Sequence, residues 1–163
     1  MKEKKTILNW LKDAFAMEKE SEEIMEHRLS DVEDQPEIRK KVEEHLDETR
    51  SQAERIKNRI EALGGDVSDI KAGVYNLAGF LSARSTGPFS DEAVKNGIAD
   101  FTQESMEAAS YQALAAGAEA VGDEETAELA REIMREELGM AEWLKNRVPM
   151  LVRSFLAQQN QEA

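Results

Sequence analysis

Four glutamates, Glu18, Glu48, Glu107 and Glu137, are the residues whose type and spacing point most directly to chemistry. Thirty residues separate Glu18 from Glu48, and thirty separate Glu107 from Glu137. The halfway point of the first pair falls in Asp31-Val32-Glu33-Asp34-Gln35-Pro36, and that of the second in Val121-Gly122-Asp123. Both stretches carry turn chemistry. In an antiparallel helix pair, residues equidistant from the turn face each other. At 1.5 Å per residue, each glutamate lies about 22 Å from its own turn. The spacing predicts two helical hairpins, each with a facing carboxylate pair at similar height. Four carboxylates at one level inside a bundle would require cations.

The elements that must position them are legible from periodicity. A first helix is predicted over 5–31, with Thr6 as N-cap or first-turn residue. Its seam reads Ile7, Leu11, Ala14, Glu18, Ser21, Met25, Arg28, Val32, in steps of four and three. Trp10, Met17 and Ile24 widen the buried face. A second helix over 36–63 opens on Pro36, whose missing N–H suits a first helical position, and stops at Gly64-Gly65. Its seam is apolar at both ends and polar in the middle, at His45, Glu48, Thr49 and Gln52.

A third helix over 90–120 follows the cap Ser90-Asp91-Glu92-Ala93. Its seam is predicted as Val94, Ile98, Phe101, Glu104/Ser105, Ala108, Tyr111/Ala112 and Ala115. A fourth helix over 124–156 carries Ala130, Ile133, Glu137, Met140, Leu144, Val148 and Leu151, with Pro149 as a kink or end and a frayed tail over 158–163. Between the hairpins, 64–90 holds six glycine and proline positions around Val74 to Leu81. A structureless loop of that length is unusual in a compact domain. The reading is an all-α, ferritin-like four-helix bundle, residues 1–157, whose two antiparallel hairpins are joined by a long crossover bearing short helices.

Composition agrees. The 163 residues suit one domain with one core, and 40% are hydrophobic. Three Pro and nine Gly leave room for long helices. The net charge of −13 repels phosphate backbones, which argues against nucleic-acid partners. The absence of cysteine excludes thiolate metal sites, disulfides and cysteine nucleophiles. No apolar run approaches the roughly 20 residues of a membrane span, and no signal-peptide pattern follows the basic start, so a soluble cytoplasmic protein is expected.

A glutamate inside an apolar seam is costly unless paired or protonated. Glu18 and Glu137 are such intruders. Glu48, Glu104 and Glu107 lie at matching heights on the second and third helices. A lone seam glutamate usually reaches solvent at the core edge, but four at matched heights in two hairpins favour a pair of metal ions. Oxygen-rich ligation suits iron or manganese better than zinc. His27 is expected at the surface. His45 is open to two readings, a hydrogen-bonded core histidine or a ligand. Its order, His45-x-x-Glu48, reverses the Glu-x-x-His of bundle di-metal sites. Gln52 stands where a rubrerythrin-like second helix would carry histidine. Gln52 and Thr49 are expected to bond within the polar layer, and Tyr111 to be a core residue with a bonded hydroxyl.

Ala16-Met17-Glu18-Lys19, the segment Glu44 to Ile56, and Glu104-Ser105-Met106-Glu107-Ala108-Ala109-Ser110-Tyr111 resemble the bacterial YciE/YciF ferritin-like proteins. Glu132 to Leu144 fits the same register, and the resemblance spans roughly 5–148. It implies a rubrerythrin-like bundle, often a homodimer, associated with stress responses. Carried over by position, the candidate ligands are Glu18, Glu48, Glu104, Glu107 and Glu137, with His45 beside them. Glu48 and Glu107 would bridge, Glu18 and Glu137 would be terminal, and Glu104 additional. The expected function is a di-metal carboxylate protein with ferroxidase- or peroxidase-type chemistry. The alternative is a non-catalytic helical stress protein whose polar layer binds no metal. Ser105 in place of the family's histidine and Ala141 in place of an acid both thin the coordination sphere.

Overall fold

The structure is a computed structural model that describes residues 2–68, 70 and 91–162. Among these residues there are four helices and no strand: α1 (Lys2–Asp31), α2 (Pro36–Ala62), α3 (Glu92–Ala120) and α4 (Glu124–Glu162). The expected short helices of the crossover, and Ser90 of the expected cap, lie outside the described residues.

The predicted turns close both hairpins, at 32–35 between α1 and α2 and at 121–123 between α3 and α4, and a further glycine turn follows α2. α2 ends on Gly64 at φ 77°, and α3 on Gly122 at φ 74°. Each glycine takes the left-handed conformation that lets the chain fold back on its own helix. Gly65 N donates to Ile60 O at 2.9 Å, and Asp123 N to Ala118 O at 2.9 Å, satisfying carbonyls that the helix ends leave open. Asp123 then caps α4 by accepting from Thr126 N at 3.1 Å and Thr126 Oγ1 at 2.7 Å.

The hairpins pack α1 on α3 and α2 on α4. Arg28 pairs with Asp100, while Tyr111 meets Glu18, so α1 and α3 are antiparallel. Arg59 reaches Asp123 and Thr126, while His45 faces Glu137, so α2 and α4 are antiparallel too. α2 and α3 therefore run in the same direction. α2 ends beside the α3–α4 turn, and α3 begins near the opposite end of the bundle.

The interior has three zones. Nearest the glycine turns, Ile7, Leu11, Met17, Ile56, Ile60, Leu114 and Ile133 form the main apolar core. At the other end, Met25, Val42 and Leu46 pack with Leu29 and Ile38. Between them lies a buried polar layer: Glu18, Ser21, His45, Thr49, Gln52, Gln103, Glu104, Glu107 and Glu137.

Several expectations are corrected. α1 starts at Lys2, and Thr6 lies within it, its hydroxyl donating to Lys2 O at 3.3 Å. α4 continues through Pro149 to Glu162. Trp10 is 43% exposed because its ring lies across Gly117 of α3 on the outside of the bundle. The first turns of α3 face differently from the predicted seam. Ile98 is 45% exposed and Gly97 is buried, where a Cβ would stand 2.6 Å from Leu151 Cδ1 of α4. Close helix approach selects the glycine for that face.

Candidate metal centre

His45 organises the polar layer. From α2 its Nδ1 meets Glu48 Oε2 at 3.0 Å, and its Nε2 meets Glu104 Oε2 of α3 at 3.0 Å. Glu137 Oε2 of α4 lies 3.8 Å from the same Nε2. One ligand atom from each of His45, Glu104 and Glu137 falls within 4.8 Å of the others, and all three residues are buried. Three helices thus bring a nitrogen and two carboxylates to one point that could hold a cation.

The other two carboxylates are tethered from behind. Tyr111 OH donates to Glu18 Oε1. Ser21 Oγ donates to Glu107 Oε1, and Gln103 Nε2 donates to Ser21 Oγ at 2.6 Å. Several oxygens have no donor: Glu18 Oε2, Gln52 Oε1 and both oxygens of Glu137. Buried acceptors of this kind are rare in folded proteins because each forfeits its hydration.

Electrostatics sharpen the problem. Among the described residues, four buried carboxyls, of Glu18, Glu104, Glu107 and Glu137, face a single buried basic side chain, His45. Burial, then the nearby Glu137 charge, raises Glu18 well above the usual carboxylate range, although the Tyr111 hydrogen bond opposes this. Burial, then Glu18 and Glu137, raises Glu107. Burial, then Glu104, raises Glu137. Glu104 is raised by burial against the opposing pull of His45. Burial alone would lower His45, but the Glu104 charge and the hydrogen bonds to Glu104 and Glu48 push it up to about 11. The shifts share one sense: burial and mutual repulsion favour neutral carboxyls, and the nearby carboxylates favour a protonated His45.

A cavity of about 300 Å3 opens from the end away from the glycine turns and reaches this layer. Its walls include Val42, Met140 and Leu144, and its inner end touches Gln103 and Glu104.

Residues 3–157 match the protein family described as a domain of unknown function (DUF892). The chain belongs to this family. It is similar to the crystal structure of a protein from Xanthomonas campestris pv. campestris, with 31% identity over 97% of this chain and 99% of that one, and a TM-score of 0.82. It is also similar to the bacterioferritin of Desulfovibrio desulfuricans, described with a diiron site in different catalytic states. That match has 21% identity over 96% of this chain and 88% of that one, with a TM-score of 0.76. The likeness to bacterioferritin shows that this DUF892 member has the ferritin-like four-helix bundle.

Within the bundle, Glu18, Glu104, Glu107, Glu137 and His45 are buried in one layer. Glu48 stands apart: its side chain is 38% exposed, and its His45 hydrogen bond holds it below the usual carboxylate range. Glu18 meets Tyr111 of α3, and His45 meets Glu104 of α3 and Glu137 of α4. Ser105 is exposed, outside the buried layer, and donates to Phe101 O at 2.7 Å. Ala141 is buried. His27 is exposed, as expected. Thr49 donates to Met25 Sδ at 3.9 Å. Gln103 and the Arg55–Glu136 pair that meets Gln52 were not singled out in the sequence. Gln103 sits four residues before Glu107, one turn away on the same face, and that spacing was the available signal.

Proposed function

We propose that this protein binds a pair of iron or manganese ions in the polar layer and acts as a ferroxidase- or peroxidase-type stress protein. The observation that carries the proposal is the set of donorless buried oxygens on Glu18 and Glu137 beside the His45–Glu104–Glu137 group. The donor set is oxygen-rich with one imidazole, which suits iron and manganese. His45, Glu104 and Glu137 would hold one position, and Glu18 and Glu107 the other, with Glu48 reaching in from the rim. Bound metal would supply the redox change. The chain's part is to yield protons from His45 and the carboxyls, to keep Glu18 and Glu107 aimed through Tyr111, Ser21 and Gln103, and to limit water. The cavity ending at Glu104 gives small oxidants a way in.

The test is titration of metal-free protein with Mn2+ in air and Fe2+ without oxygen. Saturable binding is expected, with a melting temperature that climbs with metal concentration. Glu137→Leu should abolish both. Iron oxidation by O2 or H2O2 faster than in buffer, and lost in the same variant, would carry the activity. A wild-type protein whose melting temperature ignores both metals overturns the proposal.

A second reading rests on His45. Its two ring nitrogens already take carboxylate partners, so the layer is closed by an internal cation and serves register specificity without metal. The same titration separates the readings. The stress setting, the homodimer and a cytoplasmic location belong to the proposal through the YciE/YciF resemblance. No described helix is long and apolar enough to cross a membrane. Sedimentation of the native protein checks the dimer.

A further inference from the structure

We infer that Gln52 supplies a neutral oxygen ligand, through Oε1, to the cation of the polar layer. The inference rests on the metal-binding reading above and adds a donor to it. Gln52 lies seven residues, or two turns, after His45 on α2, so both side chains share the inward face. It is completely buried. Its Nε2 donates to Glu136 Oε2 at 3.0 Å, and Arg55 Nη2 donates to the same oxygen. A carboxylate can only accept here, so the amide nitrogen must face Glu136. The amide orientation is thereby fixed by chemistry, and Oε1 is left on the other side without a donor. The amide also lies near Glu137, where its N–H side favours the ionised carboxylate.

Oε1 is thus a fully buried acceptor without a donor, and a cation held in the adjoining layer would satisfy it. An amide oxygen is a hard donor of the kind Mn2+ and Fe2+ accept. It is also uncharged. In a layer that already holds four carboxyls and one imidazole, it adds coordination without adding negative charge. The Arg55–Glu136 pair is then the anchor that keeps the oxygen aimed inward.

The experiment compares Mn2+ binding by calorimetry and the Mn2+ electron paramagnetic resonance line shape in wild type, Gln52→Leu, Gln52→His and Glu136→Ala. The expected result is an affinity lower by about tenfold to a hundredfold in Gln52→Leu, with a changed line shape. Gln52→His should recover most of the affinity by offering a nitrogen donor. Glu136→Ala should fall between them, because the amide loses its anchor. Metal-free Gln52→Leu should melt no lower than wild type, since it removes a donorless polar atom. Should Gln52→Leu fail to fold, Gln52→His and Glu136→Ala carry the test. Wild-type affinity and line shape in Gln52→Leu, or in Glu136→Ala if the leucine variant is lost, overturn this inference and leave the metal site standing. Absence of Mn2+ and Fe2+ binding in wild type overturns the metal site, and this inference with it.

Discussion

The same four helices are filled in two opposite ways along their length. Near the glycine turns, Ile7, Leu11, Ile56, Ile60 and Ile133 meet as an apolar core, and Arg59 ties the end of α2 to the start of α4 through Asp123 and Thr126. One step along the bundle, the seams of α1 and α4 admit Glu18 and Glu137, and oxygens without donors replace methyl groups. The first region gains from every contact it makes. The second sacrifices burial energy to hold carboxyls where no solvent reaches them. On the proposed metal-binding reading, stability and ligand binding are allotted to neighbouring layers, and substitutions in the two should have opposite signs.

Ile133→Ala in the apolar core should cost about 2–5 kcal/mol, with or without metal, because it removes buried contacts and leaves a cavity. Glu137→Leu, one turn along the same helix, should stabilise the metal-free protein by about 1–4 kcal/mol while abolishing metal-induced stabilisation. Denaturant unfolding of both variants, with and without Mn2+, checks the pair. A loss of metal-free stability in Glu137→Leu as large as that in Ile133→Ala would erase the contrast.

His45 is held at about 11 against an ordinary 6.5, so its contribution is complete below pH 6.5 and declines as pH rises toward 11. Glu18, Glu107 and Glu137 are also raised, so the folded chain keeps protons that the unfolded chain releases above about pH 4.5. Both effects have the same sign, and the metal-free melting temperature should fall from pH 6.5 to 9. Metal must displace those protons, so metal affinity should rise over the same interval. Thermal melts and Mn2+ isotherms across that range test both directions, and parallel trends would break the account.

The smallest expected effect lies in the structural region. Asp123→Ala removes the cap on α4 and should cost about 1 kcal/mol, leaving metal affinity unchanged. Chemical denaturation beside a Mn2+ titration measures both.

The hairpin turns were legible because glycine and proline punctuate long helical periods. The seams of α1 and α4 were legible because large apolar residues recur with a single acidic intruder in each stretch. α3 was harder. Ala99, Ala108, Ala115 and Ala118 are small enough for any face, and the bulky Ile98 and Phe101 misdirected the seam. Gly97, which close packing against Leu151 requires, gives no apolar signal at all. The equal thirty-residue steps reported height within each hairpin. They carried no information about how one hairpin is rotated against the other, and that rotation decides which partners meet. It sets Tyr111 on Glu18 and His45 on Glu104, and leaves Glu48 at the rim.

The most direct test of the central claim is a crystal of the protein soaked in Mn2+, with anomalous scattering recorded. The account predicts a strong peak within coordination distance of His45, Glu104 and Glu137, and a second beside Glu18 and Glu107. Peaks confined to exposed acidic side chains, with the buried layer keeping its hydrogen-bonded arrangement, would contradict it.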